Sequence, residues 1–599
     1  MSQRIEDYGF IADMRTVALV GRDGSMDWLC LPRIDSPACF AALLGTEEHG
    51  RWRLAPRGAA ARVSRRYRRN SLVLETSFEL PEGAITLVDF LTPAQVGEGL
   101  NVVRIVRGDR GRVDVEMELI LRFEYGAFVP WVRRHPFGLT AIAGPDAIAI
   151  RTPVELTGRD YRTYASFCVG EGETVPFVMT WHQSHLPPPP PSDALDLMVR
   201  TEEWWLQWSR RYRYQGPYQD LAHRSLTVLK GLTNSTTGGI AAAATTSLPE
   251  ELGGMRNWDY RYCWLRDATF TLYALLASGY VEEAAEWQRW LLRAAAGKPA
   301  DLQIMYGVAG ERLLIESEIP WLPGYAGSTP VRIGNAAHSQ FQLDVLGEVM
   351  DAFHVAGVHG IEVGDDARRF QRELIDFLEQ VWDEPDDGIW EVRSGRQHFT
   401  HSKVMAWLAL DRAVKSAAHL GSDAPVERWK TLRNRIHAEV CAKGFDQEKR
   451  SFVQYYGGKD LDAALLMIPL VGFLPPNDPR VLGTIEAVQR ELSTHGIVRR
   501  YSRPGVTDGV AGADAPFLAC SFWLADCLAM TGRASEARAL LDRLAGLAND
   551  LGLFSEEYDP VAGRMLGNYP QAFSHIALVN TVHNLHKQSA SPASHRARQ

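Results

Sequence analysis

Two acidic loops of the sequence combine carboxyl groups with apolar and aromatic neighbours. DEPDDGIWEVRSGRQHFTHSK (383–403) holds Glu391, and LFSEEYDPVAGRMLGNYPQAFSH (553–575) holds the adjacent pair Glu556 and Glu557. A carboxyl group that water reaches poorly has a raised pKa, which a general acid working near neutral pH requires. Two such groups facing each other across a sugar predict glycoside hydrolysis: one protonates the leaving oxygen, and the other activates water or attacks carbon.

The acidic pair also has a simpler interpretation, since adjacent acids such as Glu556 and Glu557 are usually a solvated surface pair. The apolar and aromatic residues around them argue against it. A separation of roughly 6.5–9.5 Å between the two reacting carboxyl groups would admit water and give inversion, whereas roughly 5–5.5 Å would imply retention. The residues alone leave both outcomes open.

A second set of residues is suited to holding a sugar. In RNWDYRYCWLRDA (256–268), Arg266 and Asp267 stand at a helix start behind a run of aromatic residues. An Arg/Asp pair offers donors and acceptors to vicinal hydroxyls, and aromatic rings stack on sugars. Asp267 is also explained as a charge favoured by the helix N-terminus, and Arg332, in a later loop, as an anchoring salt bridge. The expected aromatic walls are Trp258, Tyr260, Trp264 and Trp390.

The elements that position these residues begin with a β-rich region. Residues 1 to about 185 contain short runs of β-branched and aromatic residues between turns, which predicts an antiparallel β-sandwich. NVVRIVRGD (101–109) and VDVEMELILRF (113–123) are two of its expected strands. Five prolines (187–191) then predict a stiff spacer. Residues 193–214 have apolar positions at helical spacing behind a Ser-Asp cap and predict a linker helix.

From about 218 to 587 the hydrophobic period is helical. Connections after the odd-numbered segments are about fifteen to forty residues long, and the others are about two to nine. Helices joined by short loops are antiparallel neighbours, so every long loop lies at one end of the bundle. This predicts an (α/α)6 barrel with its functional residues on the long loops. The segments are 218–232, 266–278, 281–295, 338–356, 365–383, 401–420, 425–443, 459–470, 480–494, 515–531, 534–549 and 571–587.

These patterns divide the chain into four parts. The predicted order is an N-terminal β-sandwich (1–190), a linker helix (191–217), an (α/α)6 barrel (218–587) and a disordered tail (588–599). The tail reads QSASPASHRARQ, small and polar residues that cannot form a core.

Composition narrows the class of partner. The net charge of −9 favours neither nucleic acid nor an anionic membrane. With neither a long apolar run nor a secretory pattern at the N-terminus, we expect a cytoplasmic protein. Seven scattered cysteines predict reduced thiols without a disulfide or structural zinc. We expect no cofactor and no catalytic metal, since acid/base hydrolysis needs neither, and homo-oligomer formation stays open.

The motifs, taken in order, resemble glycoside hydrolase family 15, the glucoamylases and the trehalases related to them. The resemblance covers nearly the whole chain, from IEDYGFIADMRTVALVGRDGSMDWLCLPR through RNWDYRYCWLRDA, GYAGSTPVRIGNAA and GIWEV to SEEYDP and LGNYPQAFSH. It implies an N-terminal β-sandwich, an (α/α)6 catalytic barrel and an inverting mechanism.

The resemblance also implies roles for individual residues. Glu391 falls on the family's general acid, and Glu556, the first of its pair, on the general base. Arg500, in IVRRYSRPGVTDG (497–509), resembles a substrate arginine, although the loop after it departs from the fungal glucoamylase pattern. The family's remaining sugar contacts are matched by Arg266, Asp267 and Arg332.

The implied activity is that of an exo-acting α-glucosidase on a small soluble glucoside. The N-terminal region and the loop from GERLLIESEIPWLPGY to GNAA are most similar to the family's bacterial trehalases. Trehalose is therefore the first expected substrate, and malto- or isomalto-oligosaccharides are the second. Two other classes stay open: a carbohydrate-binding protein without turnover, and a lyase or isomerase using His398, His401 or His575. Binding alone needs no second carboxyl group, which favours the hydrolase.

Overall fold

A β-sandwich forms the N-terminal region of the computed structural model, which describes residues 2–97, 99–361, 364–502 and 508–586. The predicted tail (588–599) lies outside the described residues. The sandwich strands are β1 (Tyr8–Ala12), β2 (Val17–Gly21), β3 (Ser25–Cys30), β4 (Ala38–Phe40), β5 (Arg51–Pro56), β6 (Arg62–Tyr67), β7 (Leu74–Glu79), β8 (Gly83–Leu91), β9 (Leu100–Ile120), β10 (Trp131–His135), β11 (Gly138–Ala143), β12 (Asp146–Arg151), β13 (Thr157–Arg159), β14 (Arg162–Gly170) and β15 (Thr174–Gln183).

Strand β9 belongs to both antiparallel sheets. One sheet has the order β1-β2-β3-β5-β9-β14-β13 with β4 on β3, and the other β6-β7-β8-β9-β15-β12-β11-β10. Val106 pairs with Leu87 and Val175 in the second sheet, while Met117 pairs with β5 and β14 in the first. The prediction of two strands here is wrong, because the strand pairing continues through Gly111. Its φ of +65° and a carbonyl oxygen 2.3 Å from a would-be Cβ admit only glycine.

Helix α1 (Ala194–Ser209) is the predicted linker helix and contacts both regions. Asp193 caps it, accepting two backbone N–H groups. Leu197 packs into a small apolar cluster on the second sheet, and Trp208 stacks on Tyr280 of the barrel with ring centroids 4.3 Å apart. The helix therefore fixes the sandwich against the barrel, while the exact boundaries at residues 190 and 217 stay predictions.

Two rings of helices make up the barrel. Every residue from Leu518 to Leu528 of one inner helix is buried, whereas the outer helix 365–381 buries a single stripe. The inner ring is α3 (Leu265–Ser278), α5 (Asp344–Val358), α7 (Thr400–Lys415), α10 (Met467–Leu470), α12 (Leu518–Met530) and α14 (Ala572–His586). The outer ring is α2 (Gln219–Leu232), α4 (Val281–Ala294), α6 (Asp365–Val381), α9 (Val426–Lys443), α11 (Pro479–Glu491) and α13 (Ala534–Ala545), and α8 (Ala417–Leu420) follows α7.

The predicted (α/α)6 barrel after a β-sandwich is confirmed. Each of the twelve predicted segments contains a helix, and each long connection runs from an outer helix to the N-terminus of an inner one. Short ladders brace these loops: β16 (Cys263–Trp264) with β17 (Met305–Tyr306), β18 (Ser317–Glu318) with β19 (Arg332–Ile333), β20 (Phe445–Asp446) with β21 (Ser451–Phe452), β22 (Ser493–Thr494) with β23 (Ile497–Val498), and β24 (Glu557–Asp559) with β25 (Arg564–Leu566). Among the described residues, no helix has the length and apolar character to span a bilayer.

Arg261 fastens the first long loop of the barrel to the sandwich. Its guanidinium is buried and lies 2.7 Å from the Asp259 carboxylate of the same loop. It also donates to the carbonyl oxygen of Ser36 at 2.9 Å and to the hydroxyl of Tyr125 at 2.8 Å, both in the sandwich. The sandwich thus holds the loop that carries three of the predicted aromatic walls, Trp258, Tyr260 and Trp264.

Asp259→Ala is expected to destabilise the protein, because the buried guanidinium of Arg261 loses its carboxylate partner. Breaking such a pair costs about 3–5 kcal/mol. The measurement is the midpoint of thermal unfolding followed by circular dichroism. Asp423→Ala breaks the exposed pair with Arg372 and should leave the midpoint in place. Equal midpoints for Asp259→Ala and the wild type would contradict this role of the pair.

Candidate active site

One pocket at the long-loop end of the barrel gathers residues from four of the six long connections. Eight of the ten predicted site residues line it: Glu391, Glu556, Arg266, Asp267, Tyr260, Trp264, Trp390 and Arg500. The other lining residues are Ala242, Ile389, Phe517 and Gln571. Phe517 and Gln571 come directly before inner helices α12 and α14, and this position is the sequence signal that could have identified them.

Glu391 lies on a strained turn of the third long loop. Its φ of +57° is a left-handed value that residues with side chains rarely adopt. The backbone N–H donates to the carbonyl oxygen of Gly388 at 3.0 Å. The carboxylate accepts a hydrogen bond from the Trp264 indole at 2.7 Å and lies 3.8 Å from the Arg266 guanidinium. The strained turn therefore directs the carboxyl group to a fixed place in the pocket.

Burial raises the pKa of the Glu391 carboxyl group, and the nearby guanidinium of Arg266 and indole N–H of Trp264 oppose that rise. The group therefore keeps its proton to a higher pH than an exposed glutamate does. A carboxylic acid still protonated near neutral pH is able to act as a general acid.

Glu556 enters the pocket from the sixth long loop and is almost fully buried. Its Oε2 accepts the backbone N–H of Asn568 at 3.1 Å. Among the described residues, Oε1 has no partner in hydrogen-bond geometry, so it is available to a water molecule, and the nearby Tyr260 side chain favours the ionised carboxylate. Gly567 makes room for this side chain, since a Cβ there would lie 2.7 Å from Glu556 and φ is +71°.

Glu557 turns away from the pocket, because neighbouring residues of an extended chain point to opposite faces. Its side chain is fully buried, and Oε1 lies 2.9 Å from Nη2 of Arg500. The two members of the acidic pair therefore differ in their surroundings: Glu556 lines the pocket, and Glu557 lies behind it.

The guanidinium of Arg500 is surrounded by carboxylates. Nη2 lies 2.8 Å from Glu250, and Nε donates to Asp514 at 2.9 Å, in addition to the contact with Glu557. Burial and the charge of Glu250 raise the pKa of Glu556 to about 8, while Arg500 opposes the rise. The sequence analysis missed Glu250 and Asp514, whose distance along the chain from the acidic pair gives no signal.

Arg266 and Asp267 lie together in the first turn of α3. Nε of Arg266 donates to the Asp267 carboxylate at 3.1 Å, and Nη1 donates to the carbonyl oxygen of Ile389 at 2.7 Å. Across the pocket, the Trp390 indole donates to Asp462 at 2.8 Å, which fixes its ring. The pocket therefore presents fixed polar groups beside fixed aromatic surfaces, as sugar recognition requires.

The two remaining predicted residues, Trp258 and Arg332, lie in a second group that we call the Trp258 cluster, formed with Glu316 and Arg393. The guanidiniums of Arg332 and Arg393 lie over the Trp258 ring at 4.6 and 4.4 Å from its centroid. Glu316 lies 2.9 Å from Arg393 and 3.8 Å from Arg332. Since Arg393 follows Glu391 by two residues, the cluster adjoins the pocket.

Both regions of the chain are similar to known protein families. Residues 216–583 match the model for glycosyl hydrolases family 15, and residues 1–165 match a trehalase-like N-terminal model. The trehalase of Mycobacterium tuberculosis is 38% identical over 96% of this chain and 89% of its own length. The trehalase of Thermoplasma volcanium is 34% identical over 97% of this chain and 93% of its own length. A bacterial glucoamylase solved with acarbose shares the fold, with a TM-score of 0.76 and 12% identity over 98% of this chain and 94% of its own.

Glu556→Gln is expected to raise the thermal stability of the protein at alkaline pH. A pKa of about 8 in the folded chain, above that of an exposed glutamate, means that the stabilising contribution of the protonated group is lost as the pH rises through 8. A neutral amide avoids this loss, so the unfolding midpoint should rise by about 1–3 °C at pH 9 and change less at pH 5.

The matched control for this prediction is Glu203→Gln, which alters an exposed glutamate of α1. Its midpoint should follow the wild type at both pH values. If Glu556→Gln does not raise the unfolding midpoint at pH 9, or raises it equally at pH 9 and pH 5, the loss of stability at alkaline pH does not come from ionisation of Glu556.

Proposed function

The chain belongs to glycosyl hydrolase family 15, and we propose that it hydrolyses trehalose to glucose with inversion at the attacked carbon. The observation that carries the proposal is the meeting of Glu391 and Glu556 in one pocket beside the Arg266–Asp267 pair. Relatives named as trehalases match nearly the whole chain, including the N-terminal region, which supports trehalose as the substrate.

In the proposed mechanism, Glu391 donates its proton to the glycosidic oxygen while the bond between that oxygen and the anomeric carbon breaks. The bonding electron pair stays with the oxygen. Water held by Glu556 attacks the anomeric carbon from the opposite face and gives its proton to Glu556. Two glucose molecules form, and proton exchange with solvent restores both carboxyl groups.

The cleaved glucose is held, in this proposal, by the polar and aromatic groups around the two glutamates. Arg266 and Asp267 hydrogen-bond its hydroxyl groups, and their mutual hydrogen bond keeps both side chains in place. The fixed indoles of Trp264 and Trp390 flank its apolar faces. Because these groups are oriented before the sugar binds, little conformational entropy is lost on binding.

The leaving glucose contacts the Trp258 cluster in this proposal. Glu391, which protonates the leaving oxygen, is joined through one residue to Arg393, so the acid and this guanidinium lie on the same side of the substrate. Two guanidiniums, one carboxylate and an indole ring offer the donors, acceptors and flat surface that a second sugar ring requires.

We also propose that the enzyme works in the cytoplasm on a small diffusible glucoside. All seven cysteines are free thiols, which fits a reducing compartment. Assembly into a homo-oligomer stays a prediction from the sequence.

Glu391→Gln and Glu556→Gln are each expected to lower kcat for trehalose by about 10²–10⁴-fold, because each removes one proton-transfer group. Proton NMR of the first product formed by the wild type should show one equivalent of β-glucose from the attacked ring. Near-normal turnover by either variant would exclude the role given to that residue. A product containing only α-glucose at early times would indicate retention.

The same assay distinguishes the alternative substrates. Trehalose, maltose, isomaltose and maltotriose are compared by kcat/KM, with trehalose expected to be highest. Hydrolysis of maltotriose without hydrolysis of trehalose would favour the glucoamylase-type alternative, a glucohydrolase acting on malto- or isomalto-oligosaccharides.

Arg393→Ala is expected to raise KM for trehalose about 10-fold, since a charge-assisted hydrogen bond to the leaving sugar is worth about 1.5 kcal/mol or more. KM for an aryl α-glucoside, whose leaving group has no hydroxyl groups, should change much less. Arg428→Ala, an exposed ion-pair arginine on α9, is the control and should change neither value. Equal effects of Arg393→Ala on both substrates would remove the Trp258 cluster from the leaving-group site.

A further inference from the structure

We propose that two carboxyl groups outside the pocket, Glu557 and Glu250, control the charge of the base: Glu557 carries a proton and Glu250 is ionised, so that Glu556 ionises beside one charged carboxylate rather than two. Both act as positioning residues, because neither lines the pocket. The inference rests on the proposed function, since it concerns the base of that hydrolysis.

The crowding of charge behind Glu556 requires a proton to be held there. Carboxylate oxygens of Glu250, Asp514 and Glu557 lie within 4.8 Å of one another, all buried. The guanidinium of Arg500 already occupies the position among them that a divalent cation would need. Like charges this close in a buried site do not all ionise. Four carboxyl groups contact the two guanidiniums of Arg256 and Arg500: Glu250, Asp508, Asp514 and Glu557.

Glu250 has the contacts of an ionised group. Its Oε2 lies 2.8 Å from Arg500 and 3.3 Å from Arg256, so two guanidiniums stabilise a single carboxylate. Asp514 is likewise bound by both Nε and Nη2 of Arg500. These two carboxylates contact the Nε and Nη2 groups of Arg500, and Nη2 is also the atom nearest to Glu557.

Glu557 has the contacts of a protonated group. It is fully buried, and the one guanidinium near it, 2.9 Å away, is already bound to two other carboxylates. Among the described residues, neither of its oxygens has a partner in hydrogen-bond geometry. The groups that face it are Arg500 and Asp514 of the fifth long loop, Glu250 of the first, the adjacent Glu556 and Cys520 of α12. Burial and the charge of Glu250 raise the pKa of Glu557 well above its ordinary value.

A neutral Glu557 removes a negative charge from directly beside the base. Burial and then the remaining negative charge of Glu250 raise the pKa of Glu556, and Arg500 lowers it. Since the base must be ionised, activity falls as the pH drops through its pKa. Glu250 therefore sets the pH at which the acidic limb of the kcat/KM profile lies.

The test is the pH dependence of kcat/KM for trehalose in three variants. Glu250→Gln removes a negative charge and should move the acidic limb to lower pH by about one unit. Glu250→Asp keeps the charge and should restore the wild-type position. Glu557→Gln replaces a neutral acid with a neutral amide and should leave the midpoint of the limb in place.

Two results would overturn the proposal. In the first, the acidic limb of Glu250→Gln stays at the wild-type pH and kcat/KM falls by the same factor at every pH. That result would show that Glu250 has only a structural role. A limb that moves as far in Glu557→Gln as in Glu250→Gln would show that Glu557 is ionised in the working enzyme.

Infrared difference spectra of the folded proteins at pH 9, above the pKa of about 8 of Glu556, provide a second test that needs no turnover. The protonated-carboxyl C=O band should lose intensity in Glu557→Gln and keep it in Glu250→Gln. The same band intensity in Glu557→Gln and the wild type would overturn the proposal. If the wild type hydrolyses none of the glucosides, the proposed function fails while this measurement still decides where the proton lies.

Discussion

The contact between the Arg500 guanidinium and its carboxylates joins the loops on which the site is built. Arg500 and Asp514 come from the fifth long loop, Glu250 from the first and Glu557 from the sixth. In a buried environment such contacts are strong only when donors and acceptors are matched, so they fix the relative positions of these loops. Glu556 takes its place in the pocket, and its raised pKa, from this arrangement.

The barrel makes this arrangement possible because its inner helices all begin at the same end. Each long loop leads into an inner N-terminus, whose partial positive charge favours nearby carboxylates. The sandwich adds support from outside, since Arg261 connects the first loop to Ser36 and Tyr125. A rigid helical scaffold thus holds loops of different lengths in fixed positions. The functional residues can therefore lie on the loops rather than in the core.

Several features of the site cost folding free energy. Glu391 has a left-handed backbone, and Glu556 and Glu557 have buried oxygens without hydrogen-bond partners among the described residues. Each feature costs folding free energy of the order of 1–3 kcal/mol. Each also serves the proposed reaction, because a strained turn fixes the acid and an unpaired oxygen can hold water. The surrounding packed helices make these costs tolerable.

The sequence by itself determined the two-region architecture, the alternation of long and short connections and the loops that carry Glu391 and Glu556, because hydrophobic period and loop length are local properties. It did not determine that residues 100–120 form one strand shared by two sheets, since pairing depends on distant partners. Tertiary structure alone placed Trp258 and Arg332 in a cluster with Arg393, turned Glu557 away from the pocket and brought Glu250 and Asp514 onto Arg500. These contacts join residues far apart in the chain, and the charge of a buried carboxyl group depends on such neighbours rather than on its own position in the sequence.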